Sequence, residues 1–132
     1  MNDWTADMAT MHSKYGVREW IAANPDKLSE FLKFRMNFII EELEETQKAI
    51  AENDPEEIVD GLIDLCVVAL GTLDAFGVDA GKAWDQVHEA NMAKNVGVKP
   101  TRPNKLGLPD LIKPEGWVAP DHTGNYGDLV KL

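Results

Sequence analysis

Positive charge is what this 132-residue chain has least of: 13 Lys and Arg stand against 23 Asp and Glu, a formal net charge of −10. A surface that reads DNA or RNA broadly, or that docks on anionic lipid, needs clustered cations, so no nucleic-acid and no membrane partner is expected. A small anionic substrate stays open, because a bound metal ion reverses the local sign. Cysteine is nearly absent: Cys66 is the only one. No intrachain disulfide can form, which fits a reducing cytoplasm, and within its apolar run the thiol reads as buried and inert. Long hydrophobic runs are missing too. The longest, around Leu65 to Leu70, is far too short to span a bilayer, and the polar residues after Met1 do not read as a signal peptide. The chain also lacks strand-like alternation, internal repeats, low-complexity tracts, a Gly-rich phosphate loop and a Cys/His zinc pattern. Asp85 and His88 stand three apart, but a di-iron bundle needs two Glu-x-x-His helices and there is no second one.

What is present is helix. Apolar residues make up 44% of the sequence, enough for a core in a domain of this length. Met8, Met11 and Tyr15 mark a short amphipathic helix over Thr5–Tyr15, stopped by Gly16. Val17–Ala23 reads as another short helix. Asn24-Pro25 predicts a helix start, with Asn as cap and Pro in the first turn. From there Leu28, Leu32, Met36, Ile39 and Leu43 form an apolar stripe running to about Glu52. Asn53-Asp54-Pro55 breaks that helix and caps the next, whose buried face is expected to hold Leu62, Leu65, Val68, Ala69 and Leu73 before Phe76-Gly77 closes it. Asp79 opens a last helix over Ala80–Lys94, in which Trp84 reads as core. Two long helices joined by so short a break must lie antiparallel. The expected fold is therefore an all-α antiparallel bundle of four to five helices over residues 1–95.

Residues 96–132 are different in kind. They hold Pro100, Pro103, Pro109, Pro114 and Pro120, and 5 basic against 4 acidic residues, where residues 1–95 hold 8 basic and 19 acidic. The segment reads as an extended tail. Leu106, Leu108, Leu111, Ile112, Trp117 and Val118 give it reason to pack on the bundle or on a partner subunit. The broad apolar helix faces need more cover than one short chain supplies, so a homodimer or homotetramer is expected.

The informative acids are Glu41-Glu42-Leu43-Glu44-Glu45 and Glu57-Ile58-Val59-Asp60. Residues three apart share a helix face, so Glu42 with Glu45, and Glu57 with Asp60, are presented in pairs. The antiparallel turn sets the pairs opposite one another. Glu42 and Glu45 sit beside the apolar stripe, and Asp60 and Asp64 interrupt an otherwise apolar run. Carboxylates near a core are costly unless paired or metal-bound. Lys48 is the only basic residue between Glu41 and Asp64. An all-oxygen donor set selects a hard ion, magnesium or manganese. The alternative is a solvated acidic face, which is the reading for Glu44, Glu52 and Glu56; for Glu57 helix capping competes with metal binding.

These motifs resemble the all-α nucleotide pyrophosphohydrolases, the MazG-like group that includes dimeric dUTPases, dCTP pyrophosphatases and phosphoribosyl-ATP pyrophosphohydrolases. The group's signature is Glu-Glu-x-x-Glu followed by Glu-x-x-Asp. Met11–Gly16, Arg35 with Phe38-Ile39, and Glu89–Lys94 resemble its flanking segments. The resemblance implies that Glu42, Glu45, Glu57 and Asp60 bind Mg2+, that Glu41 orients or deprotonates the attacking water, and that Asn91 and Lys94 reach phosphate or sugar. His12, Trp20 and Asn37 are candidates for base or sugar contacts, with packing as the competing role of each. The tail is not covered by the resemblance: it can lay Arg102 and Lys105 near a triphosphate or brace a dimer. The implied reaction is hydrolysis of a nucleoside triphosphate, with a deoxyribonucleotide expected, to monophosphate and pyrophosphate. Alternatives are a biosynthetic step on phosphoribosyl-ATP and a non-catalytic acidic helical dimerisation module.

Overall fold

The computed structural model describes residues 3–102 and 104–132; the features read at Met1 and Pro103 lie outside them. The described residues form five α-helices: α1 Trp4–Tyr15, α2 Val17–Ala23, α3 Leu28–Ala51, α4 Pro55–Ala75 and α5 Ala80–Met92. The all-α expectation holds. The chain divides into two compact units, one running to Ala80 and including Gly124–Leu132, the other Gly81–Thr123.

In the first unit, local chemistry explains each helix end. The Asp3 side chain accepts the Ala6 N–H at 3.1 Å and starts α1. Gly16, at φ 68°, both ends α1 and begins α2, a left-handed conformation that disfavours a side chain. Asp54 accepts the Glu57 N–H at 3.2 Å and starts α4, with Pro55 in the first turn. Asn24 departs from expectation. Its amide donates back to the Trp20 carbonyl at 2.8 Å instead of capping, Pro25–Lys27 forms a 3-10 turn, and α3 begins only at Leu28.

The core lies at the Leu28 end of α3, where Ile21, Leu28, Ala75, Phe76 and Val78 are buried. Phe76 is fully buried and meets Phe31 edge-on, with ring centroids 5.8 Å apart. The chain's end closes this core: Leu129 packs against it, and the Asp128 N–H donates to the Phe76 carbonyl at 2.7 Å. Toward the α3–α4 turn the expected stripe does not hold. Met36, Leu43 and Leu62 are exposed, and the buried positions are Thr46, Ala49, Gly61, Val68, Gly71 and Thr72. Mostly small side chains let the helix backbones approach closely, and the larger aliphatic groups are turned outward.

In the second unit the expectation of no strand is corrected: β1 Asn95–Gly97 pairs antiparallel with β2 Asp110–Ile112. Three residues are too few to show alternation, which is why the sequence hides them. Trp117 anchors its segment to α5, its indole N–H donating to the Ala90 carbonyl at 2.8 Å. The Lys113 and Lys94 ammonium groups stand 4.9 and 5.5 Å from its ring centre. α5 ends at Met92, short of the expected Lys94.

Candidate active site

Thr46 of α3 packs directly against Gly61 of α4, so closely that a Cβ at residue 61 would overlap the Thr46 hydroxyl. This contact sets the register of the hairpin. In an antiparallel pair a step back along one helix meets a step forward along the other. Glu42, one turn before Thr46, therefore comes level with Asp64, about one turn after Gly61. Glu45 comes level with Gly61, beside Asp60.

Glu42 is where the acids converge. It is half-buried. Its burial first, then the charges of Asp64, Glu45, Glu41 and Asp60, push its carboxyl above the ordinary carboxylate range. Among the described residues no cation joins these charges: Lys48 points at Glu52, 4.0 Å away. Two expected site acids, Glu45 and Asp60, thus lie with Glu41 near enough for their charges to act on a third, Glu42. Glu57 lies nearer the turn. It is exposed, and it is not among the carboxylates that act on Glu42. Asp64, noted in the sequence only as an acid in an apolar run, is the first charge acting on Glu42. Its spacing of four from Asp60, on one helix face, is the signal that placed it here.

The donors suit a hard dication in chemistry, since every one is a carboxylate oxygen and their mutual repulsion is what a dication relieves. They are not closed into a coordination sphere: among the described residues no group of three or more His, Cys, Asp and Glu is spaced to hold a metal ion. The cluster is an open face. The cavities of about 240 Å3 beside Arg18 and Asp74, and of about 420 Å3 between α5 and Pro114–Ala119, include none of its acids.

The remaining expected residues are placed as follows. His12 is 1% exposed, and its Nδ1 pairs with Asp74 Oδ2 at 2.8 Å, while Arg18 binds the same carboxylate through both Nε and Nη2. His12 therefore pins α1 to α4. Trp20 is 42% exposed and stacks at a tilt on Phe31, centroids 5.6 Å apart. Asn37 is exposed on α3. Arg35, which the sequence marked only as a flank, is half-buried over the Phe31 ring at 5.1 Å. Its Nε is without a partner, and burial lowers its pKa. In the second unit Asn91 and Lys105 are exposed and Lys94 lies over Trp117. Arg102 is bound by both oxygens of Asp110, at 2.7 and 2.9 Å. Cys66 is half-buried rather than sealed in the core.

The helical bundle falls within the MazG-like all-α pyrophosphohydrolase superfamily, an assignment that rests on the match of one family model. Within it, the family model described as phosphoribosyl-ATP pyrophosphohydrolase matches residues 18–91, more than half of the chain, and the chain belongs to that family. The matched segment contains every acid of the cluster. Comparison with curated proteins gives no match, and neither does comparison with solved structures. Family membership carries nucleotide pyrophosphohydrolase activity as a general assignment. No single described helix is long and apolar enough to cross a membrane.

Proposed function

We propose that the chain hydrolyses a nucleoside triphosphate, a deoxyribonucleotide being the expected class, to the monophosphate and pyrophosphate. The observation that carries this reading is Glu42, half-buried and faced by four further carboxylates, with no cation among the described residues joining them. Such an arrangement opposes folding and persists where the charge is used. Glu42, Glu45, Asp60 and Asp64 would hold Mg2+ (or Mn2+), with Glu57 joining from the turn end of α4. The ion supplies charge neutralisation of the phosphates and a bound water of lowered pKa. Glu41, beside the cluster and exposed, orients the attacking water or takes its proton. The water oxygen bonds to the α-phosphorus as the bond to the bridging oxygen breaks, and pyrophosphate leaves whole.

Asn91 and Lys94 are assigned to phosphate or sugar, and Trp20 and Asn37 to base or sugar. His12, buried and paired with Asp74, is the weakest of these candidates for a base or sugar contact. Lys105 is the freer of the two tail cations, since Arg102 must first leave Asp110. The boundary expected after residue 95 gives way to two compact units, with Gly124–Leu132 joined to the first, and the rest of the tail serves the site or a subunit interface. The exposed Phe34, Ile40, Ile50, Val59 and Leu62 (52–64% exposed) support a homodimer or homotetramer that covers these faces. Cytoplasmic placement is part of the same reading.

The matched family favours a second reading, in which phosphoribosyl-ATP is the substrate. One experiment separates the readings: pyrophosphate release from a panel of ribo- and deoxyribonucleoside triphosphates and phosphoribosyl-ATP, with Mg2+ and then with chelator. Release from a triphosphate that chelator abolishes supports the first reading, and release from phosphoribosyl-ATP alone supports the second. No release from any member leaves only an acidic helical module.

A further inference from the structure

The four inner acids come from two helices, and something must fix the distance between them. The Thr46–Gly61 contact is the only close approach of α3 and α4 that the glycines of this hairpin record, and it falls in the middle of the cluster. Glu42 lies four residues before Thr46 and Glu45 one before. Asp60 lies one residue before Gly61 and Asp64 three after. Thr46 is 3% exposed. Its hydroxyl donates to the Glu42 carbonyl at 2.7 Å, which fixes the rotamer that faces Gly61. A Cβ at residue 61 would stand 3.1 Å from the Thr46 Cβ and 3.5 Å from its Cα, besides overlapping the hydroxyl. Carbon atoms rest at about 3.5–4.0 Å, so even one methyl drives the helices apart here.

We propose that Thr46 and Gly61 are positioning residues that hold α3 and α4 at the separation from which the Glu42–Glu45 and Asp60–Asp64 side chains can close on one divalent ion. The inference rests on the reading of the acids as a metal-dependent site. Bulk at this contact weakens the ion site and slows turnover before it weakens the fold. Gly71 supplies the control. It lies on the same helix, and a Cβ there would meet the Met8 Cε at 2.9 Å and the His12 Nε2 at 3.3 Å, but its neighbours are on α1 and none is an acid of the cluster.

The test measures Mn2+ affinity by electron paramagnetic resonance, together with kcat and KM, in the full chain. Gly61→Ala is expected to weaken Mn2+ binding at least about tenfold and to lower kcat more than it raises KM. The double variant Thr46→Gly with Gly61→Ala removes both the hydroxyl and the Cβ that crowd residue 61, leaving only the Cα at 3.5 Å, and is expected to recover Mn2+ affinity to within about threefold. Gly71→Ala is expected to lower the melting temperature while leaving Mn2+ affinity unchanged. Should Gly61→Ala fail to fold, Thr46→Val presses a methyl on the same glycine from α3, and Mn2+ affinity is again expected to fall. Unchanged Mn2+ affinity in both Gly61→Ala and Thr46→Val, no recovery in the double variant, or an equal loss in Gly71→Ala overturns the inference alone. An unmodified chain that neither binds Mn2+ nor turns over any nucleotide overturns the reading of the site, and this inference with it.

Discussion

Two acids on this hairpin meet opposite fates. Asp74, 8% exposed at the core end of α4, is gripped by Arg18 and His12. Glu42, half-buried toward the other end of the helix pair, is surrounded by Asp64, Glu45, Glu41 and Asp60, with no cation among the described residues joining them. The first is how a protein keeps a carboxylate near its interior when the purpose is architecture. The second is a repulsion that the rest of the fold tolerates, and under the proposed reading a dication relieves it. The contrast separates a paired acid from an unpaired cluster in a chain that has 23 acids.

Substitutions sharpen that contrast. Glu42→Gln or Asp64→Asn keeps shape and removes charge. Turnover is expected to fall at least about a hundredfold, the scale of losing one electrostatic group from a site, while the apo melting temperature holds or rises. A pyrophosphate-release assay beside a thermal melt reads both. Asp74→Asn should do the reverse at the fold. It strands the buried His12 Nδ1 and costs about 2–3 kcal/mol in urea unfolding, while Mn2+ affinity at the acid cluster stays near that of the unmodified chain.

A weaker effect follows from pH. Glu42 has its folded pKa raised above the unfolded value of 4.5, so between those two values the folded state binds more protons than the unfolded one. The metal-free protein should therefore lose stability as pH rises through that window and hold the lower value above it. Mg2+ binding needs the ionised carboxylate, so affinity should climb over the same interval. Glu42→Gln should flatten the stability profile there. The smallest effect is expected from Arg102→Ala, whose own side chain is 67% exposed where it pairs with Asp110. The denaturation midpoint should not move measurably, and only a change in KM would give this residue a part in binding.

Much of this was legible in the sequence, and the reasons differ by element. Gly16 marked the break between α1 and α2, and Asp54 with Pro55 the start of α4, because those signals are local. The Glu42–Glu45 face was readable from i,i+3 spacing. Asp64 was not singled out, because which α4 acid faces Glu42 depends on the inter-helix register, and that is set by a Thr–Gly contact with no hydrophobic signature. For the same reason Leu43 and Leu62 were expected inside and are found outside. The β1–β2 pair and the Arg102–Asp110 clasp join residues far apart along an irregular segment, where periodicity carries no information. For His12 ligand contact and packing both stayed open, because its partner, Asp74, lies 62 positions away.

The most direct test of the account is anomalous diffraction from crystals of the unmodified chain grown with Mn2+. The account predicts a peak between α3 and α4 within coordination distance of Glu42 and of Asp64 or Asp60. Carboxylates splayed into solvent, with no manganese peak at that face at saturating ion, would contradict it.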